Sequence, residues 1–222
     1  MDDENYESLF ENLSVSRWII DAFLKQRQLY QAAIHEVTTK LEILDEEFRV
    51  SHAYNPIHHI ESRLKKPESI LKKLERKHAP LTEAAIDECI QDIAGVRVIC
   101  NYIEDVFAIA DLFVGQSDVK LLRKRDYITS PKPNGYRSLH LIVSIPIFLS
   151  TGVKLIKVEV QIRTIAMDFW ASLEHQLKYK AEDEISENLR ERLAASADRI
   201  ALIDQEMQAI HWELQKTGGR HE

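Results

Sequence analysis

Glycine is scarce in this chain, and the positions of the glycines exclude the familiar phosphate-binding loops. Among 222 residues there are six glycines, at positions 95, 115, 135, 152, 218 and 219. None belongs to a GxG or a GxxxxGK[ST] pattern, so neither a Rossmann turn nor a Walker-type loop is expected. Any nucleotide phosphates must therefore be held by side chains.

Cysteines and long apolar runs are scarce too. The two cysteines, Cys89 and Cys100, fit no CxxC or zinc-ribbon spacing, and we expect both to be reduced and buried. The acidic N-terminus lacks the layout of a signal peptide. The longest nearly apolar run, 141–149, is interrupted by Ser144 and Pro146 and is far too short to span a membrane. We therefore expect a soluble, cytoplasmic protein without a membrane partner.

The negative net charge conceals two concentrated basic segments. The 29 lysines and arginines are outnumbered by 36 acidic residues, which leaves a formal charge of −7. Segments 63–77 and 120–137 together carry 13 basic and three acidic side chains, a local charge of +10. The remainder carries −17, which argues against a nucleic acid as a stable partner. Each basic segment is either a solvated surface or a site for phosphate groups.

Hydrophobic spacing predicts helices at both ends of the chain and strands between them. Steps of three and four residues, divided by prolines, predict the helices. They are expected over 15–50, 56–62, 67–78, 82–91, 104–116 and 165–180. Runs rich in Val, Ile and Leu predict strands over 95–102, 119–127, 138–147 and 153–163, the last two forming a hairpin.

The tail predicts one more helix with an apolar seam. Between Leu189 and Leu214, apolar residues recur at alternating steps of four and three, with Ser196 as one polar break. Such a repeat is typical of a helix that docks along a seam. Its partner is either another subunit or the N-terminal helix of the same chain. The order of elements predicts a single α+β domain, with helical residues 1–51, a core over 52–185 and a C-terminal helix within 186–222.

Two isolated acidic residues, Asp92 and Glu159, stand close in sequence to the basic segments. Asp92 precedes the first predicted strand, and Glu159 lies in the middle of the strand 153–163. A carboxylate among β-branched residues needs a partner. That partner is either Arg97 or Arg163 in an ion pair, or Mg²⁺, which takes one or two carboxylates and completes its shell with substrate phosphates and water. The second interpretation indicates a metal-dependent enzyme that acts on nucleoside phosphates.

Six motifs in register are similar to a known family. They are, in order, RLKKPESILKKL from Arg63, DIAGVR from Asp92, RDY from Arg125, PKPNGYRSLH from Pro131, EVQIRT from Glu159 and AMDFWASLEH from Ala166. Together they resemble the synthetase domain of the RelA/SpoT-type (p)ppGpp synthetases. The short chain resembles the single-domain members, the small alarmone synthetases, over about residues 52–182.

The resemblance implies a GTP pyrophosphokinase. Such an enzyme moves the β,γ-pyrophosphate of ATP to the 3′-hydroxyl of GTP or GDP and releases AMP. It implies Mg²⁺ as cofactor and a mixed, mostly antiparallel five-stranded sheet flanked by helices, related to the nucleotidyltransferases. A His-Asp pair marks the hydrolase domain of the long members of the family. This sequence has no such pair, so we expect synthesis without hydrolysis.

The resemblance also assigns roles to individual residues. Asp92 and Glu159 would hold Mg²⁺, and Glu159 would take the proton of the 3′-hydroxyl. The ATP-binding residues would be Arg63, Lys65, Ser69, Lys73 and Arg97, with the two arginines on either side of the adenine. The acceptor-binding residues would be Tyr136, stacked on guanine, together with Lys132, Arg125, His140, Gln161, Glu174 and His175.

The resemblance further implies a homotetramer, with departures that concern its regulation. Members stimulated by their product carry Asn in an AMNFW stretch, where this chain has Asp168, which would repel a phosphate-rich effector. His58 and His59 stand where such members carry an aromatic residue at the cleft of the tetramer. We therefore do not extend product activation to this chain. The alternative functions are transfer to a tRNA 3′ end or an adenosine nucleotide, and nucleotide binding without catalysis.

Overall fold

Six helices and five strands make up the part of the chain that the structure describes. This computed structural model describes residues 17–80, 82–180 and 186–218, and the acidic N-terminal segment lies outside them. The helices are α1 Arg17–Ser51, α2 Pro67–Arg76, α3 Glu83–Cys89, α4 Ile103–Val114, α5 Ile165–Lys180 and α6 Glu187–Gly218. The strands are β1 Ile57–Leu64, β2 Ala94–Cys100, β3 Lys120–Asp126, β4 Leu139–Leu149 and β5 Gly152–Thr164.

The five strands form one mixed sheet in the order β1-β2-β5-β4-β3. The pairs β1–β2, β5–β4 and β4–β3 are antiparallel, and the central pair β2–β5 is parallel. β4 and β5 form the hairpin that the sequence predicted. The expected α+β fold, a mostly antiparallel five-stranded sheet flanked by helices, is confirmed.

The hydrophobic core lies between one face of the sheet and the helices α1 and α4. α1 contacts four of the five strands, β1, β2, β4 and β5. Its buried residues recur at helical steps and are Tyr30, Ala33, Ile34, Val37 and Leu41. Alternate residues of β5 complete the core from the sheet side and are Val158, Val160 and Ile162. The alternation leaves the opposite face of β5 free for polar side chains.

The prediction of a helix over 56–62 is wrong, because this stretch forms the edge strand β1. β1 pairs with β2 along its whole length. A register shift between Ile57 and His59 inserts one residue, which brings Ile57 and Ile60 to the same face although they are three positions apart. The bulge therefore produces an apolar step that imitates helical spacing.

The seam of the tail helix divides into two halves. In the first half, Leu193 and Ile200 pack against Trp170 of α5, and the Trp170 indole donates hydrogen bonds to the Leu193 carbonyl and to Ser196 Oγ. In the second half, Ile203 and Met207 are exposed by 61% and 48%. Within the chain, α6 packs on α5 and α4. The sequence had left its partner open between another subunit and the N-terminal helix.

The two thiols differ in their burial. Cys100 is fully buried in β2, as expected, but Cys89 at the end of α3 is only half-buried. Both are free thiols. Among the residues described, none of the helices combines the length and the apolar character needed to cross a membrane.

Candidate active site

The polar face of the sheet brings together side chains from three neighbouring strands. β5 contributes Glu159, Gln161 and Arg163, which alternate with its core residues. Arg97 of β2 and His140 of β4 both lie opposite Gln161 in the strand register. These five residues therefore stand side by side on the face that α1 does not cover.

Asp92 lies at the edge of this face, between two lysines. Lys65 Nζ is 2.8 Å from Asp92 Oδ2, and Lys73 Nζ is 2.8 Å from Asp92 Oδ1. Burial favours the protonated carboxyl, but the two ammonium groups outweigh burial and hold the pKa of Asp92 below its ordinary value. The carboxylate is therefore ionised at neutral pH.

The local sequence explains why both lysines reach Asp92. Leu64 pairs with Ala94, so the antiparallel ladder brings the end of β1 close to the residues before β2. Pro67 starts α2, where its fixed φ and missing N–H are tolerated. Pro67, Ile70 and Leu74 are the buried residues of this helix. Lys73 lies off this apolar stripe and is partly exposed beside Asp92.

Glu159 receives a contact on each of its two carboxylate oxygens. Gln161 Nε2 donates to Oε2 at 2.8 Å, and His140 Nδ1 lies 3.3 Å from Oε1. Burial alone would raise the pKa of Glu159, but the contacts with His140 and Gln161 prevail, and its pKa lies below the ordinary value. Glu159 is thus an ionised carboxylate in a largely buried position.

Three adjoining cavities open around these residues, each of about 320 to 370 Å³, a size suited to parts of a small molecule. We name them by their characteristic residues. The lysine cavity is lined by Lys73, Lys77, Asp92, Arg123, Arg125, His140 and Glu159, among others. The arginine cavity is lined by Arg63, Gly95, Arg97 and Gln161, and shares Asp92 and Glu159 with the first. The tyrosine cavity is lined by Tyr136, Arg163, Glu174 and His175, and shares Arg63, Arg97 and Gln161 with the second.

Tyr136 lies half-buried where the tyrosine cavity meets the polar face. Lys132 Nζ sits over its ring, 4.5 Å from the centroid. Its hydroxyl is 2.8 Å from His140 Nε2 and receives a hydrogen bond from Arg163 at 3.1 Å. Burial raises the pKa of Tyr136, so the phenol is neutral at physiological pH.

Gly135 sets the position of Tyr136 against the tail helix. Its φ of 86° lies in the left-handed region that favours glycine. A Cβ at this position would overlap with Ala197 Cβ of α6. The glycine therefore permits both an unusual turn and a close approach of the loop to α6.

Neither Arg97 nor Arg163 is the ion-pair partner of Asp92 or Glu159, because both arginines pair with other carboxylates. Arg97 lies 3.1 Å from Glu61 and 3.5 Å from Asp168, and Arg163 lies 3.2 Å from Asp168. The expectation that Asp168 would repel an effector treated it as a free carboxylate, whereas it is paired with two arginines.

Eleven of the fourteen predicted site residues line the three cavities, and Lys65, Ser69 and Lys132 do not. Glu174 is buried and accepts a hydrogen bond from Asn134 at 3.0 Å, and His175 is exposed. Lys65 reaches the site through Asp92. Ser69 is exposed in the first turn of α2 and is not among the cavity-lining residues described above.

Sequence reasoning missed three basic residues of the site. Lys77 and Arg123 line the lysine cavity, and Arg163 borders the tyrosine cavity. Arg123 and Arg125 alternate along β3, and Arg163 alternates with Glu159 and Gln161 along β5. The two-residue period of a strand was the signal that could have identified both arginines.

The donor set suits a divalent cation that also binds substrate. In the ranges that the structure covers, no group of three or more His, Cys, Asp or Glu side chains could hold a metal ion. Asp92 and Glu159 nevertheless line the same two cavities as ionised carboxylates. Two carboxylates leave most coordination positions to water and phosphate oxygens, as Mg²⁺ sites for nucleotides do.

Comparison with known proteins gives extensive matches. A family model described as a region found in RelA / SpoT proteins matches residues 62–184. GTP pyrophosphokinase YwaC of Bacillus subtilis (strain 168) is 40% identical over 196 residues, which cover 88% of this chain and 93% of that protein. GTP pyrophosphokinase YjbM of the same strain is 37% identical over 187 residues, which cover 84% and 87%.

Solved structures match over a similar extent. Small alarmone synthetase 1 from Bacillus subtilis bound to its product pppGpp has a TM-score of 0.83 at 35% identity, covering 88% of this chain and 99% of that one. Small alarmone synthetase 2 from the same organism has a TM-score of 0.79 at 40% identity, covering 86% and 98%. A structure of the first synthetase bound to AMPCPP has a TM-score of 0.76 at 32% identity, covering 88% and 99%.

Proposed function

This chain belongs to the RelA/SpoT family, and on that basis we propose that it is a GTP pyrophosphokinase of the small alarmone synthetase type. The observation that carries the proposal is the meeting of Glu159, Asp92 and Lys73 at one cavity. The enzyme synthesises pppGpp from GTP and ppGpp from GDP. The relatives over most of the chain carry the same activity in their names, which does not favour a tRNA or an adenosine acceptor.

The proposed reaction attaches a pyrophosphoryl group to a ribose. The 3′-oxygen of the acceptor attacks the β-phosphorus of ATP, and a new O–P bond forms. The bond between that phosphorus and the α,β-bridging oxygen breaks, and AMP leaves with the bridging oxygen. The hydroxyl proton passes to the Glu159 carboxylate. An alcohol is a poor nucleophile until a base takes its proton, which an ionised, oriented glutamate can do.

The donor nucleotide would occupy the arginine cavity and part of the lysine cavity. Arg63 and Arg97 line the former, and their planar guanidinium groups can stack on both sides of an adenine. Lys65 and Lys73 would exchange Asp92 for the phosphates of ATP and balance the charge that develops during transfer. Ser69, on the same helix as Lys73, would contact these phosphates.

The acceptor nucleotide would lie between Tyr136 and the strand β3. Guanine stacks on the Tyr136 ring, with Glu174 and His175 bordering the base and Gln161 near the ribose. The acceptor phosphates reach Arg125, Lys132 and His140, and we add Lys77 and Arg123 to this group. The extra positive charge suits an acceptor with two or three phosphates.

Asp92 and Glu159 are the residues that we propose to hold Mg²⁺. When bound, the ion would neutralise phosphate charge and lower the pKa of the attacking hydroxyl. The side chains themselves supply the orientation, because each carboxylate is fixed by two neighbours.

We further propose a cytoplasmic homotetramer. The exposed half of the α6 seam supports an oligomer, because Ile203, Met207 and Leu214 present apolar surface that another subunit can cover. The absence of a membrane-crossing helix in the described residues is compatible with the cytoplasm.

The activity is tested on the purified full chain with ATP, GTP and Mg²⁺, followed by separation of the nucleotides. We expect AMP and pppGpp in equal amounts, with the γ-phosphate label of ATP recovered in pppGpp. Failure to form either product, or transfer of the label to added tRNA alone, would contradict the proposal.

The Glu159→Gln variant tests the assigned base. Glutamine keeps the size and can accept one of the two hydrogen bonds from Gln161 and His140, but it cannot take a proton. We expect kcat to fall by about 10²- to 10⁴-fold, while circular dichroism stays unchanged. Glu46→Gln, which neutralises an exposed glutamate of α1, is the matched control and retains full activity.

A further inference from the structure

Arg163 is the centre of a hydrogen-bond network behind Glu159. The residue is only 2% exposed and lies close to the end of β5. Its Nη2 donates to Gln161 Oε1 at 2.7 Å and to the Tyr136 hydroxyl at 3.1 Å. Its Nη1 donates to Asp168 Oδ1 at 3.2 Å. One guanidinium therefore contacts three side chains of the site.

The first arm of the network runs through Gln161. A guanidinium can only donate hydrogen bonds, so the Gln161 atom that faces Arg163 must be the amide oxygen. The amide nitrogen then faces Glu159 and donates to Oε2 at 2.8 Å. Arg163 thereby determines the orientation of the Gln161 side-chain amide.

The second arm runs through Tyr136 and His140. Because the Tyr136 hydroxyl accepts from Arg163, its own proton is free to be donated to His140 Nε2, 2.8 Å away. A neutral imidazole that accepts at Nε2 carries its proton on Nδ1. That atom lies 3.3 Å from Glu159 Oε1. The arm therefore also ends in a donor that faces the carboxylate.

Both arms end at the Glu159 carboxylate. In both, every hydrogen bond is donated in the direction from Arg163 towards Glu159. Each oxygen of Glu159 faces one donor, and each keeps a lone pair for other partners. Arg163 is held in turn by Asp168, which also lies 3.5 Å from Arg97. The direction of every hydrogen bond follows from the fact that the guanidinium has no acceptor.

We propose that Arg163 is a positioning residue that orients Glu159 through Gln161 and through the pair Tyr136 and His140. Tyr136 then serves the reaction with its hydroxyl as well as with its ring. The catalytic consequence rests on the proposed function, whereas the polarity of the network can be measured without any activity. A misoriented carboxylate lowers the rate more than it lowers substrate affinity, since the base acts in the transition state.

The Tyr136→Phe variant separates the two contributions of the tyrosine. Phenylalanine keeps a ring for stacking and removes the hydroxyl that links Arg163 to His140. We expect kcat to fall about fivefold, the value of one hydrogen bond, with KM for GTP within twofold of wild type. An unchanged kcat would overturn the proposal.

Tyr54→Phe is the matched control for the loss of a tyrosine hydroxyl. Tyr54 donates to Asp105 at 2.6 Å, away from the three cavities. We expect its loss to lower the melting temperature and to leave kcat and KM unchanged. A purely structural role for the Tyr136 hydroxyl would give the same pattern, so the split between kcat and melting temperature distinguishes the two roles.

A double-mutant cycle tests whether Arg163 acts through Tyr136. Arg163→Lys keeps the positive charge beside Asp168 but loses the fork that contacts both arms. We expect the fall in kcat caused by Tyr136→Phe to shrink to less than twofold in the Arg163→Lys background. If the double variant instead lost kcat by the product of the two single losses, the two residues would act independently, against the proposal.

The position of the imidazole proton of His140 can be measured without enzymatic turnover. The measurement also does not require the Arg163 variant to fold. In wild-type protein with ¹⁵N-labelled histidine, at a pH where imidazole is neutral, NMR assigns the His140 signals by comparison with His140→Gln. We expect the proton on Nδ1 in wild type and a mixture of tautomers in Tyr136→Phe. A proton on Nε2 in wild type overturns the network. If the wild-type protein has the Nδ1 tautomer but forms no pppGpp, the proposed function is wrong and the proposed network is still supported.

Discussion

At the scale of single residues, Asp92 forms ion pairs with Lys65 and Lys73, which the proposed reaction needs for the phosphates of ATP. Lys65, Lys73 and Asp92 are only 13 to 24% exposed, so their mutual attraction is weakly screened by solvent. Without nucleotide, the carboxylate neutralises part of their charge. Nucleotide phosphates can replace Asp92 as the counterion of the two lysines. The same lysines therefore contribute to stability when no nucleotide is bound and to binding when it is.

The Asp92→Asn variant measures this coupling. Removing one charge leaves two half-buried ammonium groups without a counterion, and we expect a loss of about 1 to 3 kcal/mol in the free energy of unfolding at pH 7. Added ATP should restore much of the lost melting temperature. An equal melting temperature in both proteins without ATP would show that the lysines need no counterion.

The same pair has a defined pH dependence. The pKa of Asp92 in the folded protein lies below its unfolded value, so its contribution to stability is fully present above the unfolded pKa and is lost as the pH falls through the folded pKa. The difference between wild type and Asp92→Asn should therefore shrink below about pH 4, which denaturant titrations at several pH values can follow.

Single residues also differ in how far the sequence identifies them. Asp92 and Glu159 stood out because isolated carboxylates beside apolar runs need partners. Arg163 did not, because the two-residue period of β5 places it on the polar face without showing which side chains it contacts. Its role depends on Tyr136 and Asp168, which are distant in sequence or on another element and lie beside it only in the folded chain.

At the scale of elements, α6 forms part of the wall behind the proposed guanine site. Arg137 donates to the Gly135 carbonyl and to Asp198 of α6, which ties the loop 131–138 to the helix. The contact between Gly135 and Ala197 leaves no space for a side chain. The position of Tyr136 therefore depends on the docking of the tail helix.

Gly135→Ala should disturb both the tail helix and the acceptor site. The positive φ and the overlap with Ala197 together cost about 2 to 4 kcal/mol, and KM for GTP should rise as Tyr136 shifts. Gly152→Ala is the control, because Gly152 also has a positive φ but no atom within 4 Å of the added Cβ. Equal losses in both variants would mean that backbone strain alone matters.

Most element types followed from periodicity, and the exception has a physical cause. Long helices and buried strands show their period over many residues, so α1, α6 and the β4–β5 hairpin were predicted close to their observed bounds. β1 is an edge strand with a bulge, which interrupts the two-residue period and leaves an apolar step of three residues. The division of the chain into segments 1–51, 52–185 and 186–222 remains a prediction.

At the scale of the whole molecule, the exposed half of the α6 seam is the surface that needs a partner. Leu214 is 67% exposed and Ile203 is 61% exposed, although both lie on the repeat that the sequence predicts as a seam. The first half of the repeat is covered by α5. The proposed homotetramer would cover the second half and remove this apolar surface from water.

Met207→Asp tests this assembly. A charge in the middle of the exposed half should lower the mass measured by light scattering from four chains to fewer. Gln205→Asp adds the same charge to an exposed polar position of α6, off the seam, and should leave the mass unchanged. A wild-type protein that is monomeric at micromolar concentration would rule out the tetramer.

The parallel pairing of β2 with β5 also has a consequence for how the enzyme folds. Gly95 lies opposite Glu159, so the two carboxylates approach only after a long loop has closed, while the β4–β5 hairpin can form locally. Loop closure of this kind slows folding. During refolding from denaturant, catalytic activity should therefore return later than helical circular dichroism, and the nascent chain would be inactive until β5 has been made and docked.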